Sequence, residues 1–281
     1  MTLRIENVDD DGLVTPEVGG WAVDKYRLLQ LYATLFSTAM KGKWTRIYLD
    51  LFAGAGHARI KNTNRIVPAS PMLAATIQDP FDKYIFCDKQ DQNISALEHR
   101  IRQLARPIDA TYLIGDANDL VEAVVSAMPR PSSVGRVLTF CFADPYALEN
   151  LAFATIEELA RKYIDFLILI PTGMDAVRNL AIYKPKSNST VERFLGLKDW
   201  RGRWQAIEQT GANFGSFVVD CYGEQMSRLD YRYGGISMTQ EIRSTDKNLP
   251  LYRLAFFSRS ELGEKFWKES LKYSDDQLTF F

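Results

Sequence analysis

Apolar positions along the chain recur first at helical and then at strand spacing. Residues 21–40 place Tyr26, Leu29, Ala33, Phe36 and Met40 along one side of a helix, and Lys41-Gly42-Lys43 ends it. From residue 46 short β-rich runs alternate with helical stretches. Strands are expected at 46–52, 83–87, 111–114, 137–143 and 165–170. Helices are expected from Ser70, with Ser70 as N-cap and Pro71 at the first helical position, and over 93–105, 118–128, 152–163 and 175–181. The run 137–143 is apolar throughout, as in a parallel strand covered on both faces. A helix over 217–228, strands within 234–242 and 251–258, and a helix over 261–273 complete the pattern. Residues 1–20, acidic and broken by Gly and Pro, read as a loose segment ahead of one domain over 21–281.

This rhythm predicts βαβ units and an α/β fold, Rossmann-like, with a mostly parallel sheet and helices on both faces. Right-handed crossovers gather the C-terminal ends of the strands on one edge, where such folds bind ligands.

Composition adjusts this picture little. The 281 residues are 46% hydrophobic and 25% charged, with a formal net charge of -1. That is ordinary for a globular chain, and it provides no overall field for nucleic acid. A local patch exists at 184–204, where six cations face two anions, a net of +4, with Trp200 and Trp204 interleaved. It reads either as a basic insertion for phosphate contact and base stacking or as a solvated face with both tryptophans in a satellite core. Cys87, Cys141 and Cys221 form no CxxC pair, and only His57 and His99 are present, so no metal site is expected. No signal peptide and no membrane span is legible, which points to the cytoplasm.

The candidate chemistry lies at strand ends. In Asp50-Leu51-Phe52-Ala53-Gly54-Ala55-Gly56 the two glycines permit a tight turn and close approach of a ligand to the backbone. The exposed amides suit a carboxylate or phosphate. Asp88, ending the second strand, is placed for ribose hydroxyls, although it lies 32 residues beyond Gly56 against the usual spacing of about 20. Asp116 and the Ala117 N–H, in Gly115-Asp116-Ala117-Asn118, are placed for an adenine edge; Asp116 or Asn118 also reads as a helix N-cap. Asp144 and the Pro145 carbonyl can accept hydrogen bonds from an amino group, and Tyr146 can stack on a planar acceptor. Such an arrangement suits methyl transfer to nitrogen, where orientation does most of the work. Thr172, in Pro171-Thr172-Gly173, ends the fifth strand on the same edge, and Arg201 and Trp204 are the candidate substrate contacts in the insertion.

Asp50 to Gly56, Asp88, Gly115-Asp116-Ala117 and Asp144-Pro145-Tyr146, in this order, resemble class I S-adenosylmethionine-dependent methyltransferases. The last element is similar to the Asp-Pro-Pro-Tyr signature of amino methyltransferases acting on nucleobases, but has one proline. More closely, the chain resembles the three-Cys-motif partner protein family (TcmP) of bacteria and phages. The matching stretches include Tyr48 to Ile60, Phe142 to Leu148 and Ile170-Pro171-Thr172-Gly173-Met174. The resemblance implies a seven-stranded sheet with an antiparallel final strand pair, S-adenosylmethionine as cofactor, and a partner carrying three cysteines. It also suggests that Lys25 closes over the cofactor; otherwise Lys25 is a solvated helix lysine. His57, after Gly56, reads as a ligand contact or a loop histidine. The competing readings are a methyltransferase-like binding subunit without turnover, and a nicotinamide enzyme. Against the latter, Arg59 stands where G-x-G-x-x-G has its third glycine.

Overall fold

Five consecutive apolar residues, Phe166 to Ile170, belong to a strand buried along its whole length. Such a strand must be covered on both faces, and the fold around it is a sheet between two helical layers. The computed structural model describes residues 5–130 and 136–275. In chain order it contains β1 (Glu17–Val18), α1 (Ala22–Met40), β2 (Thr45–Asp50), β3 (His57–Ile60), β4 (Ile66–Pro68), α2 (Ser70–Ala75), β5 (Lys83–Asp88) and α3 (Asp91–Arg102). Then follow β6 (Ala110–Ile114), α4 (Val121–Ala127), β7 (Val137–Ala143), α5 (Phe153–Leu159), β8 (Ile164–Ile170) and a π-helical turn at Thr172–Val177. The last third holds α6 (Leu180–Tyr183), α7 (Thr190–Leu195), α8 (Trp200–Glu208), α9 (Phe214–Arg228), β9 (Gln240–Arg243), β10 (Pro250–Phe257) and α10 (Glu261–Asp275).

Seven strands form the main sheet in the order β6-β5-β2-β7-β8-β10-β9. Five are parallel, and β10 runs antiparallel to both β8 and β9. The chain moves outward from β2 to β5 and β6, then returns to β7 on the other side of β2. The reversal leaves a crevice at the C-terminal ends of β2 and β7. The two faces differ in side chains. Ile47, Leu49, Ile85, Cys141 and Phe166 face α4, α5 and α7–α9. Tyr48, Tyr84, Phe86, Phe140 and Phe256 build an aromatic layer under α1, α2 and α10. Among the described residues, no helix is long and apolar enough to cross a membrane.

The structure departs from the sequence expectations in three places. Residues 5–20, expected to be loose, pack onto the domain. Ile5 is buried, Val8 bridges Ile66, and β1 joins β3 and β4 in a small second sheet that the periodicity did not indicate. The tether is Arg100 on α3. Its buried guanidinium donates to both Asp11 carboxylate oxygens at 2.7 and 2.6 Å, to the Val14 carbonyl at 2.9 Å and to the Ala55 carbonyl at 2.5 Å. Such a pairing between distant residues leaves no local pattern. Second, Ser70 does not cap its helix. Ala69 is the N-cap, and the Ser70 hydroxyl bonds Asp50 instead. Third, Asn118 does not open a helix at 118, because α4 begins at Val121. Arg100→Met should lower stability by about 2–3 kcal/mol. Urea unfolding measures the loss, and hydrogen exchange should show residues 8–18 released first.

Candidate functional site

The turn after β2 is wedged between its neighbours. Leu51 N–H donates to the Phe142 carbonyl at 3.1 Å and Ala53 N–H to the Cys87 carbonyl at 2.8 Å. Gly54 sits at φ 62°, with nothing within 4 Å of where a Cβ would stand. Its open side is the space a ligand backbone contact requires. Gly56, at φ 87°, has a different use. A Cβ there would fall 2.9 Å from Leu97 Cδ1 and 3.1 Å from Met72 Cγ, so this glycine admits the neighbouring helices and not a ligand.

Asp50 lies fully buried beneath the turn. Tyr48 Oη donates to it at 3.0 Å and Phe52 N–H at 3.2 Å. Burial pushes its carboxyl up to about 7. Ser70, Tyr48 and the Phe52 amide pull it down, and the Asp144 charge adds to the rise. Asp165, under Tyr32, is likewise raised by burial, to about 6. Both carboxyls therefore bind a proton more tightly folded than unfolded. Their contribution to stability is full below the unfolded value of 3.8 and drains as pH rises through the folded values near 6 and 7. For Asp50 the effect is on the order of 4 kcal/mol once ionisation is complete. Melting temperature should fall between about pH 4 and about pH 7, the interval between the unfolded and folded values, and Asp50→Asn should flatten that slope; equal slopes would contradict the assignment.

Three further acids converge beside the turn. Asp88 Oδ2 accepts from Gly54 N–H at 2.8 Å, while Oδ1 accepts from Gln90 N–H at 2.8 Å and Asn93 Nδ2 at 2.9 Å. Asp116 Oδ1 accepts from Asn118 N–H and Nδ2 at 3.0 and 2.7 Å. Partial burial acts to raise its carboxyl, but Asn118 and Lys89 outweigh this and hold it below its ordinary value. Phe52, Asp88, Asp116, Ala117, Asp144 and Tyr146 line a single cleft of about 200 Å³. Pro145 is buried and Tyr146 stands 73% exposed at the rim.

Lys25 is not solvated; it pairs with one of the acids of the cleft. Its ammonium forms an ion pair with Asp144 Oδ2, with side chains 4% and 17% exposed. The nitrogen lies 5.1 Å from the ring centres of both Trp21 and Tyr26. Lys25 thus meets the cleft through Asp144.

The substrate contacts expected elsewhere do not reach the cleft. Thr172 is buried, and a Cβ at Gly215 of α9 would lie 3.0 Å from its own Cβ. Arg201 staples the insertion internally. It donates to the carbonyls of Lys184 at 2.9 Å, Tyr183 at 3.1 Å and Pro185 at 2.8 Å, and also to that of Asn188. Trp204 is buried against Phe214 and Phe217, so it offers no stacking face. Lys184 and Arg203 are paired with Glu208, Asp199 and Glu224. Both tryptophans are core residues, as one of the two readings expected, but of the main core on the α7–α9 side of the sheet and not of a satellite. His57 opens β3, mostly buried near Asp11, and burial lowers its pKa.

Two residues organise the loops behind the cleft in a way local spacing does not show, since Asn118 reads only as a helix cap and Asp175 only as a helix start. Asn118 ties the ends of β6 and β7 together: Nδ2 donates to the Asn150 carbonyl at 3.0 Å, and Oδ1 accepts from Ala152 N–H at 2.7 Å and Thr155 Oγ1 at 2.8 Å. Asp175 is buried and accepts from Leu148 N–H and Asn179 Nδ2, each at 2.6 Å, and from the Tyr183 hydroxyl. It pins the loop that carries Tyr146. Among the described residues, no cluster of three or more His, Cys, Asp or Glu side chains is placed to hold a metal ion.

No protein-family model matches the chain, and no curated protein matches it. Solved structures do resemble it. A Legionella pneumophila protein described under the family model DUF519 is 12% identical, with 89% of this chain and 91% of that one covered, at a TM-score of 0.48. The N-methyltransferase NodS from Bradyrhizobium japonicum, in complex with S-adenosyl-L-homocysteine, is 8% identical over 86% and 89% of the two chains, at 0.43. The magnesium protoporphyrin IX methyltransferase from Synechocystis, also with that product bound, is 12% identical over 84% of each chain, at 0.41. By its own topology the chain is an α/β protein with a seven-stranded, mostly parallel Rossmann-like sheet.

Proposed function

We propose that this chain is an S-adenosylmethionine-dependent methyltransferase acting on an amino nitrogen of a nucleic acid or a protein. The observation that carries the reading is the convergence of Asp88, Asp116, Ala117 and Asp144 in one cleft beside the open Gly54 turn, at the reversal of strand order. The residues fit the cofactor's parts. The Gly54 side of the turn is open for its carboxylate-bearing end. Asp88, whose carboxylate has lone pairs beyond the three bonds it accepts, suits ribose hydroxyls. Asp116 suits the adenine amine, with the Ala117 N–H beside it. Bound there, the cofactor supplies an electrophilic methyl group on sulfur.

On the acceptor side, Asp144 and the Pro145 carbonyl hold an amine by its N–H bonds and aim its lone pair. Tyr146, exposed at the rim, provides a stacking face for a planar acceptor. With Trp200 and Trp204 buried, a nucleic-acid acceptor would rest on Tyr146 and not on the insertion. Membership of the three-Cys-motif partner family, with a three-cysteine partner and a cytoplasmic location, belongs to the same proposal.

One observation favours a second reading, a binding subunit without turnover. The Lys25 ammonium already occupies Asp144, where an acceptor's N–H would donate. A labelled-methyl transfer screen over RNA, DNA and protein pools separates the two. The enzyme reading expects one pool labelled, with Asp144→Asn reducing the label by about a hundredfold or more. No label in any pool or on the chain itself, from a chain that binds the cofactor, establishes the second reading.

A further inference from the structure

The Lys25 nitrogen lies against Asp144, the acid that the proposed function gives to an acceptor amine. It contacts Asp144 Oδ2 directly, and its side chain is 4% exposed. The faces of Trp21 and Tyr26 flank it, each ring centre 5.1 Å away. Such ring faces favour a cation, and they favour a methylated ammonium more, because each methyl group replaces a hydration contact with an apolar one. A surface lysine is held by none of these. Trp21 precedes α1 as its N-cap and Tyr26 lies in its first turns, so the cage is built from the same short segment as the lysine.

We infer that Lys25 is itself a methyl acceptor: the chain methylates its own Lys25 at Nζ, and the product is retained between Trp21, Tyr26 and Asp144. This inference rests on the donor-binding reading of the cleft. The ammonium first gives one proton to the Asp144 carboxylate, which is 17% exposed and returns it to water. The freed Nζ lone pair forms the N–CH3 bond. The S–CH3 bond of the sulfonium donor breaks, its electron pair stays on sulfur, and the donor leaves as the neutral thioether S-adenosylhomocysteine. Lys25 ends as a monomethylammonium, still cationic and still paired with Asp144. The inference also accounts for the occupied acceptor site, because the occupant is the first substrate.

The test uses the full chain. Calorimetry with S-adenosylhomocysteine establishes whether the cleft binds. Peptide mapping by mass spectrometry then reads Lys25 as purified and after incubation with donor carrying a deuterated methyl group. The expected result is a methyl group on Lys25, already present or deuterated, approaching one per chain. Asp144→Asn should lower its rate of appearance by about a hundredfold, at the lower end for loss of a positioned base. The Lys25→Arg chain should carry no label at that position. A bare Lys25 in a chain that binds the thioether overturns the inference and leaves the donor site standing. Label elsewhere with Lys25 bare does the same. Equal labelling of Lys25 in Asp144→Asn also overturns it. A chain that binds neither donor nor product overturns both.

Discussion

Asp144→Ala is expected to lower stability by about 3–5 kcal/mol, the range for removing one partner of a buried ion pair. The loss is large because Lys25 cannot reach water. Its side chain is 4% exposed, and two aromatic faces replace hydration only in part. The reciprocal change is milder. Lys25→Met leaves Asp144, at 17% exposure and on the wall of a cleft, able to draw in solvent. Combining Lys25→Met with Asp144→Ala should recover most of the loss, since the second substitution removes the charge that the first strands. Urea unfolding of the four proteins forms the cycle. If the two single losses are equal and simply add, the pair is not buried in the sense described. Asp144→Asn keeps an acceptor for the ammonium, so it separates loss of transfer from loss of fold.

Gly173→Ala is expected to cost about 3 kcal/mol or more, the upper range for forced overpacking. An added Cβ would stand 1.9 Å from the Pro250 carbonyl oxygen and 2.8 Å from its carbon. Those are backbone atoms at the start of β10, so no side-chain rotation relieves the contact. Either the turn at Thr172–Val177 shifts or the first residues of β10 do. The first alternative moves Asp175 and with it the bond to Leu148 N–H, loosening the loop behind Tyr146. Thermal unfolding measures the loss, and an unchanged melting temperature would contradict the packing described. Gly54→Ala makes the contrast. It meets no atom and suffers only from its φ of 62°, a cost of about 1 kcal/mol.

The parallel strands were legible because burial on both faces requires continuous apolar runs, as in Phe140 to Ala143 and Phe166 to Ile170. The acids at the strand ends were legible because each lies at a strand's end or within two residues of it: Asp50 and Asp88 close their strands, and Asp144 and Asp116 follow theirs by one and two residues. What the sequence hid depends on pairing between distant residues. Arg100 reaches back to Asp11, Lys25 reaches forward to Asp144, and Asp175 holds Leu148. Nothing in local spacing distinguishes these side chains from solvated ones. The same limit explains Arg201 and Trp204. A cation beside an indole reads as a nucleic-acid contact in one dimension, yet the guanidinium turns inward to carbonyls and the ring packs on Phe214. Short β3 and β4 were missed because three or four residues give no usable alternation.

The central claim is that the cleft bounded by Asp88, Asp116 and the Gly54 turn holds S-adenosylmethionine. Isothermal titration of the wild-type chain and of Asp116→Ala tests it most directly, with S-adenosylmethionine and S-adenosylhomocysteine as ligands. The account predicts saturable one-to-one binding of both by the wild type. It predicts binding weaker by about 10- to 100-fold in Asp116→Ala, as expected when a charged hydrogen-bond partner is removed. No binding of either ligand to the folded wild-type chain, or equal affinity in Asp116→Ala, would contradict it.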